Sequence, residues 1–404
     1  MNRDFFLEET DLDLDVVILL IAGLMMIMTG ILLFPVTRGA VPYYENGVYG
    51  LVLFLFALQI VLLGKTPFGD MKRSKSLFYT GLAVASAGIV TCFIPGFFSR
   101  LPAMLLFLCF TPGGAVLLAH LFLAPDRFRT WARMGGTFHL LWTGCAAVYL
   151  LSMLIGVLVL NQGLFTGDET AVTVLVFGAA ILLLAMVLQR IYRKYPAPEG
   201  KVDESEILSS DHSVILLTGI FMILLGFFLV PVSLGMLPFA ASAQLGLLMV
   251  IMSFKMISTG NTPIGAFRRS RLVVFCGILF AALGIVSCIV PGILDPLLTV
   301  LIGVLNIIGG VVGLLGTVSG IRKREGGAVV PPVLVRLNIS QVVLNLLSVM
   351  FGTSMLFPGL IPALLTGLIL AANGGVLLYL LRILVQIERF SGSIGEEVPS
   401  PAAE

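Results

Sequence analysis

Two short stretches of this chain carry the residue types of phosphate chemistry. Gly64-Lys65-Thr66 is followed by Lys72, Arg73 and Lys75. A glycine turn that presents backbone N–H groups, a lysine for phosphate oxygens and a hydroxyl for Mg²⁺ are the working parts of a P-loop. The spacing fails, because that loop needs a glycine five positions before Gly64 and the chain has Gln59 there. A near copy, GNTPIGAFRRSR from Gly260, also puts Asn261 where Lys65 stood. Both copies keep Thr-Pro, a glycine and a basic run. Those residues suit a loop that stops a helix, turns, and is held on one side of a membrane.

Other chemistries find little support. The three histidines form no Ser/His/Asp or Cys/His set, and Cys92, Cys109, Cys145, Cys276 and Cys288 lie in or at the ends of apolar runs without a Cys-x-x-Cys pair. They read as small packing residues. The expectation is a protein with no catalytic residues, cofactor or metal, and with no nucleic-acid partner.

An ionisable residue at membrane depth is the default functional signal, because charge in hydrocarbon is costly. Asp70, Asp126, Asp168, Glu169 and Asp295 all fall in loops or at the ends of runs. Lys255 is the exception: snorkelling of its long side chain to the interface explains it, and an anion or substrate contact on a polar pathway is the alternative. His120 and His139 flank a basic loop, where interfacial packing is the plain reading. The best polar stripe is Asn338, Gln341, Asn345, Ser348 and Gly352, at three- and four-residue steps and so on one helical face. Interhelical hydrogen bonding accounts for it, and a polar pathway joined by Asn306 and Asn373 is the sharper alternative.

These residues need helices to position them. Of 404 residues, 58% are apolar and 11% charged, far outside the soluble norm. Apolar runs recur at the length of about 20 residues that a bilayer core requires. The runs predict spans at 16–36, 47–64, 77–97, 101–123, 138–160 and 171–192, then at 213–233, 243–260, 272–293, 297–319, 335–357 and 363–387. Spans in hydrocarbon must be helical to satisfy their backbone. If the amino terminus is inside, only Arg38 and Arg100 of the 24 basic residues lie outside. The Lys/Arg bias therefore places both termini in the cytoplasm of a cell with the chain in its inner membrane.

The opening echo extends through the chain at an offset of 196 residues, as Gly260 stands to Gly64. Gly30 and Pro35 match Gly226 and Pro231; Gly88, Cys92 and Pro95 match Gly284, Cys288 and Pro291; Gly113-Gly114 matches Gly309-Gly310. The expected organisation is a cytoplasmic tail at 1–15, a six-helix repeat at 16–195, a linker at 196–211, a second repeat at 212–391 and a tail at 392–404. An even number of helices per repeat makes the repeats parallel. The fold class is an all-α integral membrane protein of twelve transmembrane helices. A proline after a glycine near each outer turn, as at Gly30/Pro35 and Gly88/Pro95, divides each repeat into three helical hairpins. Gly309-x-x-x-Gly313 and Gly316-x-x-x-Gly320 offer close-contact faces, within the chain or to a second copy.

Glycines seven apart (Gly23/Gly30, Gly81/Gly88, Gly219/Gly226, Gly277/Gly284), an outer proline and a return helix ending in basic residues resemble the HdeD family of small bacterial membrane proteins. The resemblance covers the first two hairpins of each half best. It implies a protein without catalytic motif, acting in acid resistance, and this chain departs from the six-helix family pattern by its doubling. The major facilitator superfamily shares the six-plus-six count, but Gly69 to Lys75 lacks the second glycine and the Asp-Arg pair of that family's loop. Two functions follow: an HdeD-like protein of stress tolerance or membrane assembly, with the bilayer and a homo-oligomer or membrane complex as partners, or an uncoupled small-molecule transporter with a path between the halves.

Overall fold

The computed structural model describes residues 12–71, 74–123, 136–195, 209–324 and 331–396. The expectations for most of the first tail, for Lys72 and Arg73, for the loop at 124–135, for the linker at 196–208 and for the chain from 397 lie outside the described residues. Among the described residues, twelve helices are long and apolar enough to cross a membrane. The chain is an all-α, multi-pass membrane protein. In order the helices are α1 (Leu14–Thr37), α2 (Glu45–Leu58, prolonged by a π turn over Gln59–Leu63), α3 (Lys75–Phe93), α4 (Leu101–Leu123), α5 (Thr137–Leu160) and α6 (Gly167–Lys194). They continue as α7 (Ser210–Ser233), α8 (Ala241–Thr259), α9 (Arg271–Ile289), α10 (Asp295–Arg324), α11 (Pro332–Leu356) and α12 (Ala363–Glu396).

The ends differ from the apolar runs in places. Helix α2 starts at Glu45, ahead of the expected 47, and α7 starts inside the expected linker. Helix α12 runs past 387 into the segment expected as a tail. A helix need not stop where its apolar run stops, since Glu388 and Arg389 favour helix as well as Leu does. Starts are fixed by local hydrogen bonds. Ser74 and Ser270 accept from the N–H groups of Leu77 (3.2 Å) and Val273 (3.4 Å), while Thr166 and Glu169 form a reciprocal capping box.

The turns repeat between the halves of the chain. Helix α1 passes Pro35 and closes with Ala40 N–H donating to Pro35 O at 2.9 Å; α7 passes Pro231 and closes with Met236 N–H on Pro231 O at 2.9 Å. Gly39 and Gly235 take the left-handed conformation this stop requires, at φ 69° and 71°. After α2 the chain makes a two-stranded turn, β1 (Lys65–Thr66) with β2 (Gly69–Asp70), closed by Met71 N–H on Gly64 O at 3.2 Å. After α8 come β3 (Asn261–Thr262) and β4 (Gly265–Ala266), with Phe267 N–H on Gly260 O at 3.1 Å.

Glycine decides which helices pair. In lipid the hydrophobic effect does not drive helices together, so close backbone approach must hold them. A Cβ on Gly50 of α2 would lie 2.5 Å from Gly88 O of α3, and one on Gly284 of α9 would lie 2.5 Å from Gly246 O of α8. In the same way Gly178 of α6 meets Ile27 N of α1 (2.6 Å), Gly374 of α12 meets Gly219 O of α7 (2.5 Å), Gly156 of α5 meets Thr111 N of α4 (2.9 Å), and Gly352 of α11 meets Gly303 O of α10 (2.5 Å). The close pairs are therefore α1 with α6, α2 with α3, α4 with α5, and likewise α7 with α12, α8 with α9, α10 with α11. Helices α1 and α2, and α3 and α4, which the proline turns join, touch far less.

The chain clusters into two compact units. One comprises Met1–Ile207, Leu237–Thr262 and Ala266–Thr299, and so holds α1 to α6, α8, α9 and the start of α10. Its centre is α2 and α8, whose apolar windows are 72% and 83% buried. Phe54, Phe93, Phe254 and Ile285 fill that centre without exposure above 2%. Here Tyr44 N–H donates to Ile289 O at 2.9 Å and Ala240 N–H donates to Phe93 O at 2.9 Å. Each donor and each acceptor stands 196 residues from its counterpart. Cys92 Sγ approaches Gly47 O at 3.5 Å, and Cys288 Sγ approaches Ala243 O at 3.6 Å, at the same offset. The other unit comprises Leu208–Met236, Pro263–Gly265 and Val300–Glu404. Within it Phe221 and Leu225 of α7 and Leu370 of α12 are fully buried, while α11 has only 6% of its window enclosed.

Candidate functional site

The Lys65 that suggested phosphate chemistry forms an ion pair with Asp15 in the first turn of α1. Tyr192 of α6 donates its hydroxyl to the same carboxylate at 3.1 Å. The turn beyond Lys65 also uses its own donors: Phe68 N–H reaches Thr66 Oγ1 at 3.2 Å, and Thr66 Oγ1–H reaches Gly69 O at 2.8 Å. A phosphate cradle needs such N–H groups free. This corner ties α1, β1 and α6 together.

The polar stripe lies where its spacing predicted, along α11, with Asn338, Gln341, Asn345 and Ser348 all half-buried. Its middle faces α10 in the same unit. A Cβ on Gly313 would lie 2.5 Å from Asn345 Oδ1, and one on Gly310 would lie 2.6 Å from Asn345 O. The amide fits because those two positions lack side chains. Asn306, one turn before Gly310, donates Nδ2–H to Ile302 O of its own helix at 2.9 Å. Asn373 on α12 is 5% exposed and its Oδ1 has no hydrogen-bond partner among the described residues. Lys255 is half-buried on α8 and belongs to the other unit. At Gly316 and Gly320 an added Cβ would meet nothing within 4 Å, so only the first of the two small-residue pairs on α10 makes close contact.

A cleft of about 290 Å³ opens in the unit that holds α1 to α6, between α1, α2, α4, α5 and α6. Its walls are apolar, with Met26, Val52, Phe110 and Ile155 among them. Glu45, Tyr49 and Gln162 supply polar groups to the lining. Tyr49, one turn along α2, donates its hydroxyl to Glu45 Oε1, and Gln162 Nε2, just beyond α5, donates to the same oxygen. Glu45 Oε2 accepts nothing from a described residue, and no Lys, Arg or His among them pairs with it. Position explains the acid: it sits in the first turn of α2, where the helix dipole favours negative charge.

No family model, curated protein or solved structure matches this chain. What the site does must be read from its own residues. None of Asn338, Gln341, Asn345, Ser348, Asn306 or Lys255 lines the cleft. Sequence reasoning missed Glu45 because the apolar run that marks the second span begins at 47. One signal was available, in the departures from the 196-residue echo: Tyr43, Glu45, Tyr49 and Gln162 stand against Phe239, Ala241, Leu245 and Pro358. Among the described residues no group of three His, Cys, Asp or Glu is placed to hold a metal.

Proposed function

We propose that the protein is a non-catalytic, HdeD-like protein of the cytoplasmic (inner) membrane, a six-helix unit duplicated in parallel, with both termini cytoplasmic. In this reading outer prolines recur at the turns of each repeat, while the helices they join pack mainly against other partners, α1 against α6 and α2 against α3. It serves stress tolerance, or acts as a packing partner for a second copy or another membrane protein. The observation that supports it best is the reciprocal pair of hydrogen bonds, Tyr44 N–H to Ile289 O and Ala240 N–H to Phe93 O. Reciprocal contacts of this kind are what a twofold relation between copies produces. The same glycine crossings recur at the same offset, which favours a scaffold selected for rigid packing. Survival of cells after acid shock tests the function. A strain lacking the chain should survive less well and recover with the wild-type protein. Equal survival of both strains would refute a role in acid tolerance.

A second reading is uncoupled passage of a small molecule. The cleft beside Glu45 favours it; the stripe on α11 favours it less, since that helix is only 6% enclosed. Counterflow of a labelled solute in proteoliposomes, abolished by a bulky residue in the cleft, would support passage; flux equal to that of empty liposomes would refute it.

A further inference from the structure

We propose that the cleft beside Glu45 binds a small organic cation, an ammonium group carried on an apolar body. The inference stands apart from the scaffold reading, since a packing protein and a transporter could each hold such a site.

Size comes first. A volume of about 290 Å³ lies at the small end of ligand pockets and cannot enclose a whole two-chain lipid. The walls then select the body of the ligand: Met26, Val52, Phe110 and Ile155 present apolar surface that an alkyl or aryl group covers. The polar groups of the lining select the head. Glu45 Oε1 is oriented by two donors, Tyr49 and Gln162, while Oε2 receives none from the described residues. Glu45 is half-buried beside the apolar walls, and its charge is free to meet a cation there, since no Lys, Arg or His among the described residues pairs with it. Tyr43 and Tyr49 also line the cleft, and aromatic rings suit an ammonium as well as a carboxylate does.

The copies argue that packing does not require these groups. At the corresponding places the second repeat has Phe239, Ala241, Leu245 and Pro358, and α8 is enclosed at least as well as α2 without them. The polar cluster is thus surplus to the scaffold. A bare metal ion fits poorly, because hard cations take six or more oxygen ligands and the cleft wall has one carboxylate. A zwitterionic headgroup fits poorly too, because its phosphate would lack a partner: among the described residues no Lys or Arg lines the cleft.

The test uses the full chain in detergent and in nanodiscs of phosphatidylcholine with and without phosphatidylethanolamine. Binding of labelled 2-phenylethylamine is compared with that of neutral 2-phenylethanol. The amine should bind saturably and at least about tenfold more tightly, the factor expected for one charge-assisted hydrogen bond. Glu45→Gln should abolish that preference and leave the alcohol unchanged. Val159→Trp, which fills the cleft from half-buried α5, should remove both, and keeps the test decisive if the first variant fails to fold. Equal binding of amine and alcohol by the wild type, or an undiminished preference in Glu45→Gln, overturns the proposal. Amine binding seen only when phosphatidylethanolamine is absent also overturns it, by making the lipid headgroup the occupant.

Discussion

Replacing Gly50 by Ala should destabilise the protein although alanine is the better helix former. A Cβ at this position would lie 2.5 Å from both Gly88 O and Cys92 Sγ and 2.7 Å from Cys92 N, where ordinary contact begins at 3.4 Å. The obstacle on Gly88 is backbone, so α2 and α3 must part by roughly 0.9 Å at their crossing, a gap that forfeits a quarter or more of each contact's attraction. The Cys92 Sγ contact to Gly47 O, at 3.5 Å, lies on the same face and is lost with it. Overpacking of this kind costs about 1–3 kcal/mol, and the gain in helix propensity returns at most about 1 kcal/mol. A net loss of up to about 2 kcal/mol follows. Gly316→Ala is the control, because nothing lies within 4 Å of its added Cβ; it should be neutral or gain up to about 1 kcal/mol. Both variants are to be unfolded by denaturing detergent in the same mixed micelles, with helix content and a tryptophan signal as readouts. If Gly50→Ala is as stable as the wild type, or Gly316→Ala loses as much, the role assigned to backbone approach is wrong.

Gly260→Ala should cost more than Gly96→Ala in a thermal melt. Both glycines are left-handed, at φ 74° and 73°, a strain of about 1–2 kcal/mol for alanine, but only the Cβ at 260 would strike Phe267 O. Asn345→Ala should lose on the order of 1 kcal/mol in the same detergent titration, because its amide packs against Gly313 and its removal leaves a void; no loss would show that its seat over Gly313 contributes nothing. Asp15→Asn should lose about 1 kcal/mol at low salt and less at high salt, since Lys65 is half-exposed and screening weakens the pair. A loss that is independent of salt would point to the Tyr192 hydrogen bond instead.

Much of the fold was legible because lipid imposes strict rules on a sequence. Runs of apolar residues between prolines and basic clusters located all twelve helices, and the glycines at 30, 88, 156 and 178 with their counterparts in the second half fall at helix crossings. Pairing was harder to read. The prolines drew attention to helices joined across outer turns, whereas the chain brings α1 against α6 and α2 against α3, through glycine faces that turn connectivity does not reveal. Lys65 looked like a phosphate ligand because its partner, Asp15, is fifty residues away in sequence and close only after folding. The cleft was invisible for the same reason: its walls come from five helices, and Glu45 lies two residues before the apolar run that marked the span. The polar stripe on α11 was found by spacing alone, yet spacing could not say that Asn345 sits over glycines of α10. For the π turn at Gln59–Leu63, which α8 does not share, we have no physical account.

The reciprocal pair of backbone bonds at the centre of the first unit is the most exposed claim. Oxidative cross-linking in native membranes tests it, using a cysteine-free background with Tyr44→Cys paired with Ile289→Cys and, separately, Ala240→Cys paired with Phe93→Cys. Backbone N–O distances of 2.9 Å bring the Cα atoms near the range of about 4.4–6.8 Å that a disulfide spans. Both pairs should cross-link within one chain and to similar extents. Cross-linking of one pair alone would contradict the proposed twofold relation between the copies, and cross-linking of neither would contradict the packing itself.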